Sequence, residues 1–405
     1  MLKRLAKNLL LLFLTVFLVL LALELAVRWL VPDLKDLLVP HREIAESPLD
    51  FRPDRNGQKG SSQFDPYLGW TNRPGASGTA YGPDGLVSPI SINSLGLRDR
   101  EVDYSRPAGL KRILVLGDSF AWGYGLKTEE RFSDILDAQF PGIQVLNLGV
   151  VGYSTDQESV LLEREGFKYD PDMVILLVHD TDIFHNGLRA NYGKKKPYYR
   201  MIDGELTRQG VPVPPPDEGK ESEAVRSKDD EKSRSFWHSV KKDLLGRSRL
   251  YRLISSRLKR IGAFRSLLID LKLVQKDRSV ADNVRLTAAI IERMARQARE
   301  SGVEDFLVLL VPSKEVINYH LPAAVGNRLI RFKDTEILRR EEAVERLTGL
   351  LKKNSISYID LSPDFKNRAS RGTDLYFIND NHWNARANQI AAEKIQTSLH
   401  KKEYN

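Results

Sequence analysis

From Ile113 onward the chain alternates short, continuous apolar runs with longer stretches of helical periodicity, and this alternation restricts the folds open to it. The runs are Ile113 to Leu116, Gln144 to Leu148, Met173 to Val178, Phe306 to Val311 and Ser357 to Ile359. Helical patterns lie at Arg131 to Gln139, Thr155 to Phe167, Asp282 to Ser301, Asp334 to Lys353 and Asn384 to His400. A parallel strand covered by helices on both faces has no polar side to show, so it reads as unbroken apolar sequence. The pattern predicts an α/β domain, a three-layer α/β/α sandwich around a mainly parallel, five-stranded sheet.

The regions outside this alternation set the expected boundaries. Lys3, Arg4 and Lys7 precede an apolar stretch from Leu9 to Leu23, continued by Leu25-Ala26-Val27 with only Glu24 interrupting. A bilayer is crossed by about 20 apolar residues, and basic residues before a span favour a cytoplasmic amino end. Residues 1–31 are therefore expected to form a signal-anchor transmembrane helix, which puts the rest of the chain on the extracytoplasmic side. A cleaved signal peptide shares the basic start and apolar middle, but Glu24 and Arg28 interrupt the places where a small-x-small cleavage site would fall. Residues 32–107, rich in Pro, Gly, Ser and Asp, read as a leader or stalk whose aromatic content favours packing on a domain at 108–405. Within that domain an insertion is expected at about 189–280. Its Lys194-Lys195-Lys196 and polyproline segments read as mobile loop, and Phe236 to Leu273 reads as amphipathic helix.

Composition excludes several function classes. A formal charge of +8 could point to nucleic acid, but the basic residues are interspersed with acidic ones and no zinc-finger, RNP or basic-zipper pattern occurs. No nucleic-acid partner is expected. The chain contains no cysteine, which rules out disulfides and thiolate metal sites and is compatible with an oxidising compartment. His179, Asp180, Asp182 and His185 are metal-ligating types, but no distant histidine cluster joins them, so no metal or organic cofactor is expected. Trp70, Trp122 and Trp383 read as core or rim residues.

The chemistry-bearing residues stand at the two ends of the alternating region. Gly117-Asp118-Ser119 follows the run Ile113 to Leu116, and Asp380-Asn381-His382-Trp383-Asn384 lies near the carboxyl end. A serine hydroxyl is a weak nucleophile until an imidazole takes its proton, and the imidazole needs an acid to hold its tautomer. Ser119, His382 and Asp380 supply those three groups, with Ser119 at the carboxyl end of a strand, where open parallel sheets form their ligand crevice. The Gly-x-Ser-x-Gly elbow of α/β-hydrolases is absent, since Ala121 fills its last position.

This combination resembles the SGNH superfamily, also called GDSL esterases, over about Arg98 to the end apart from the insertion. The resemblance implies the flavodoxin-like form of the α/β/α sandwich. It rests on four blocks, the first being Gly117-Asp118-Ser119-Phe120, where Ser119 is implied as nucleophile and its backbone N–H as one oxyanion donor. In the second, Asn147-Leu148-Gly149-Val150-Val151-Gly152, the resemblance assigns the Gly152 N–H as another donor. The third departs from the family pattern: where an Asn-Asp pair is usual, this chain has Thr181-Asp182, so Thr181 stands in the position of the third donor with a shorter, hydroxyl-bearing side chain. In the fourth, the acid stands two residues before His382 rather than three. That shorter form resembles membrane-anchored and polysaccharide-associated branches.

The resulting expectation is a membrane-anchored SGNH-type serine hydrolase acting on ester bonds, with an acyl ester or acylated glycan as substrate. Two alternatives share the site. One is an O-acetyltransferase that passes the acyl group to an extracytoplasmic polysaccharide, and the other is a catalytically weakened glycan-binding or assembly protein.

Overall fold

The structure, a computed structural model, describes Thr15 and residues 60–81, 84, 86–216, 278–319 and 334–403. All of these beyond Thr15 fall in the unit formed by Ala45–Glu221 and Arg278–Asn405. Apart from Thr15, the anchor expected at 1–31 lies outside the described residues, as do the insertion helices expected between Phe236 and Leu273. Among the described residues no helix is long and apolar enough to cross a membrane.

The leader segment, read from sequence as a leader or stalk, contributes two antiparallel hairpins. β1 (Ser62–Asp65) pairs with β2 (Gly69–Asn72), and β3 (Ser77–Tyr81) pairs with β4 (Val87–Ser91). The first turn is closed by Asp65, whose Oδ1 accepts the N–H groups of Tyr67 and Leu68, the local bond that suits Asp to turns. Trp70 is buried and donates its indole N–H to the carbonyl of Val151 at 2.9 Å, while the Tyr153 hydroxyl donates to the Trp70 carbonyl. One aromatic residue thus ties the leader to a loop of the sheet.

The alternating region then follows in order: β5 (Lys111–Leu116), α1 (Ser119–Trp122), α2 (Phe132–Gln139), β6 (Ile143–Asn147), α3 (Thr155–Arg164), β7 (Met173–His179) and α4 (Asp182–His185). Two further hairpins come next, β8 (Ala190–Asn191) with β9 (Lys194–Lys195) and β10 (Tyr198–Ile202) with β11 (Glu205–Gln209). The chain continues through α5 (Val280–Glu300), β12 (Asp305–Val311), α6 (Lys314–Tyr319), α7 (Asp334–Lys353), β13 (Ser357–Asp360), α8 (Ser362–Ser370) and α9 (Ala385–Glu403).

β5, β6, β7, β12 and β13 form one sheet in the order β13-β12-β7-β5-β6, and every neighbouring pair is parallel. Numbered by appearance within the sheet, this is the 2-1-3-4-5 order of flavodoxin-like folds. Successive strand residues face opposite cores. Leu114, Leu176 and Val308 pack in a cluster with Val160 of α3, Met294 of α5 and Leu347 of α7, whereas Val115, Ile175 and Leu309 pack with Phe132 of α2, Phe365 of α8 and Ile390 of α9. Burial on both faces explains why these strands are uniformly apolar in sequence.

The structure corrects the reading of Lys194-Lys195-Lys196 as mobile loop. These lysines belong to the β8–β9 hairpin and its exit, and Lys196 is fully buried, with Nζ 2.6 Å from each carboxylate oxygen of Asp156. A triple lysine reads as solvated because its acid partner lies 40 residues upstream. Residues 190–209 therefore form two hairpins, while residues 217–277 of the insertion lie outside the described residues.

Candidate active site

The chain leaves β5 through Gly117 and enters the single-turn helix α1, which begins at Ser119. Gly117 is required by crowding: a Cβ there would lie 2.7 Å from Ala121 Cβ and 3.0 Å from Leu177 Cβ. Asp118 caps the turn by accepting the Phe120 N–H at 2.8 Å. Its carboxyl is pushed up to about 6, mainly by burial, against the opposing pull of that hydrogen bond and of the His382 charge.

The sheet order places this turn at the β5/β7 boundary, the topological switch point where open α/β sheets bind ligands. The carboxyl-terminal motif reaches it from the loop before α9. His382 Nε2 lies 2.7 Å from Ser119 Oγ, and His382 Nδ1 lies 2.5 Å from Asp380 Oδ1. With its Nδ1 proton donated to Asp380, the ring accepts the Ser119 hydroxyl proton at Nε2. The two-residue spacing of acid and histidine works because Asp380 Oδ1 also accepts the His382 backbone N–H at 2.7 Å. One tight turn thus orients backbone and ring together.

Two residues unnoticed in sequence, Lys314 and Asp84, hold this loop together with aromatic side chains. Lys314 Nζ donates to the carbonyls of Phe377, Ile378 and Asp380 at 2.6, 2.8 and 3.1 Å. Asp84, from the leader, accepts the N–H groups of Ile378 and Asn379. The Trp383 indole donates to the Phe120 carbonyl at 3.1 Å, linking the histidine loop to the serine turn, and Trp122 and Trp383 are both buried. The rings of Tyr124 and Phe120 stand 4.6 and 4.9 Å from that of His382, and the Tyr124 phenol is pushed up to about 12 by burial, with Asp380 adding to it. Phe120 and Trp383 stand within the motifs read from the sequence and Tyr124 lies close to the Gly-Asp-Ser turn, whereas Lys314 and Asp84 carry no sequence signature.

Of the other predicted site residues, Gly152 sits in the loop after β6 at φ +81, a left-handed conformation that favours glycine. That loop runs beside the serine turn, with the Val150 N–H donated to the Gly117 carbonyl at 3.0 Å. Thr181 Oγ1 lies within hydrogen-bond distance of His179 Nδ1 at 2.6 Å, and Asp182 is buried and accepts the His179 backbone N–H at 2.9 Å. The His179 ring stacks on Phe120 at 4.2 Å and is held well below the usual imidazole range by burial, which keeps it neutral. Asp180 accepts the backbone N–H and hydroxyl of Ser313, both at 2.8 Å. His179, Asp180 and Asp182 thus have partners of their own, and among the described residues no group of three or more His, Cys, Asp or Glu could hold a metal ion.

Comparison with known proteins bears on residues 270–405, which match the family model described as "SGNH hydrolase-like domain, acetyltransferase AlgX". No curated protein matches the chain. Among solved structures, a member of the lipolytic G-D-S-L family from Veillonella parvula DSM 2008 is 13% identical with TM-score 0.38, the match covering 71% of this chain and 97% of that one. The acetyl xylan esterase AlAXEase is 12% identical with TM-score 0.36, covering 71% and 99%. A catalytic mutant of Axe2, an acetylxylan esterase from Geobacillus stearothermophilus, is 10% identical with TM-score 0.35, covering 71% and 94%. Residues 270–405 are thus similar to an SGNH hydrolase-like domain, and they include Asp380 and His382.

Proposed function

We propose that the protein is a serine ester hydrolase that forms an acyl-enzyme on Ser119. The observation that carries this reading is the continuous chain Ser119 Oγ, His382 Nε2, His382 Nδ1 and Asp380 Oδ1, with links of 2.7 and 2.5 Å. Ser119 Oγ attacks the acyl carbonyl as its proton passes to Nε2, and the imidazolium is stabilised by Asp380. The carbonyl oxygen becomes an oxyanion facing the Ser119 and Gly152 N–H groups. Collapse breaks the bond to the alkoxy group, which leaves as an alcohol with the proton from Nε2. Water then attacks the acyl-enzyme, gives a proton to Nε2 and releases the carboxylic acid as Ser119 regains its own.

The family-model description favours a second reading, in which a sugar hydroxyl replaces water in the last step and the product is a new ester. Both readings use the same residues, and they differ in how well water is kept from the acyl-enzyme. The basic start and apolar run of residues 1–31 support an extracytoplasmic, membrane-tethered site, where an acetylated polysaccharide is a fitting substrate. The deciding measurement is release of acetate from a chromogenic acetyl ester with and without polysaccharide acceptor, together with labelling by a serine-reactive phosphonate. Hydrolysis should proceed without acceptor, and Ser119→Ala should abolish both turnover and labelling. Transfer far exceeding hydrolysis would establish the second reading, and equal labelling of wild type and Ser119→Ala would refute both.

A further inference from the structure

Thr181 occupies the place of the family's third oxyanion donor, yet its Oγ1 is held in a 2.6 Å hydrogen bond with His179 Nδ1. A carboxamide reaches the same neighbourhood from another element. Asn191, at the end of β8, donates from Nδ2 to the Gly152 carbonyl at 3.3 Å, and Gly152 is the residue whose N–H is read above as an oxyanion donor. An amide nitrogen carries two hydrogens, so the bond to Gly152 fixes the group while leaving a second donor free to point at a developing charge. We propose that Asn191, and not Thr181, completes the oxyanion hole of this chain. The proposal rests on the acyl-enzyme reading of Ser119.

The β8–β9 hairpin is built to hold that side chain in place. Its two-residue loop, Tyr192-Gly193, has positive φ at both positions, +50 and +76, as a type I′ turn requires. A bulky tyrosine in that conformation is strained, and such strain is retained mostly where function needs the geometry. The exit of the hairpin is pinned by the buried Lys196–Asp156 pair. On its outer side the leader presses close: a Cβ on Gly69 would lie 2.5 Å from the Lys195 carbonyl oxygen. A donor on so supported a loop is pre-organised, which is what transition-state stabilisation needs.

The test compares the full-length wild type with Asn191→Ala, Thr181→Ala and Ser119→Ala on a chromogenic acetyl ester and its thionoester analogue. Asn191→Ala should lower kcat by about 10²- to 10³-fold, as loss of one oxyanion donor does, with KM changed by less than about threefold. Sulfur accepts hydrogen bonds poorly, so the preference of the wild type for the oxygen ester should shrink in Asn191→Ala; a merely structural defect would slow both substrates alike. Thr181→Ala should retain kcat within about threefold. Asn191→Ala with near wild-type kcat, or with an unchanged oxygen-to-sulfur preference, would overturn the proposal while leaving the Ser119 reading intact. Wild-type turnover by Ser119→Ala would overturn both.

Discussion

Glu158, on α3, provides the sharpest stability test. Its side chain is fully buried and neither carboxylate oxygen has a hydrogen-bond partner among the described residues. Burial pushes its carboxyl well above the ordinary 4.5, the charges of Asp118 and Asp156 push it further, and Lys196 opposes them. The native state therefore holds a proton that the unfolded chain releases near its ordinary value. Above that value the unfolded state binds fewer protons, so stability falls as pH rises, by about 1.4 kcal/mol per pH unit until the native carboxyl also ionises. Glutamine has nearly the same shape and does not titrate. Glu158→Gln should thus match the wild type near pH 4 and exceed it at pH 7 by up to about 3 kcal/mol. Urea denaturation midpoints of both full-length proteins from pH 4 to 8 would measure this difference. A difference that stays flat with pH, or a variant less stable at pH 7, would refute the reasoning.

Two further substitutions probe residues that support the site. Lys196→Met leaves the Asp156 carboxylate buried without its cation and should cost about 3–5 kcal/mol in urea denaturation, because breaking a buried pair from one side is costly; Lys196→Met combined with Asp156→Leu should recover much of that loss, and a cost below about 1 kcal/mol for the single variant would contradict the burial of the pair. Lys314→Met removes three hydrogen bonds to the carbonyls of the 377–380 loop and should lower ester turnover by about 10²-fold through misplacement of His382 and Asp380, with phosphonate labelling of Ser119 slowed in parallel. Unchanged turnover would show that the loop keeps its shape without the lysine.

What the amino-acid sequence determined by itself was local. The runs around Ile113 to Leu116 and Met173 to Val178 became β5 and β7 at nearly the expected bounds, because burial on both faces leaves an unbroken apolar signature that neighbours in sequence are enough to reveal. Ser119 could be placed at a strand end, and Asp380 and His382 paired, for the same reason: the groups that matter stand within a few residues of one another. The tertiary structure decided everything that depends on distant partners. The first leader hairpin is tied to the sheet through Trp70 and Tyr153, 83 residues apart, and Lys196 is buried rather than solvated because of Asp156. Only the fold could bring Asn191 beside Gly152, 39 residues away in sequence. Periodicity records which side of an element is buried, but the partner met there is chosen by how the chain crosses itself, and that information is absent from any short window of sequence.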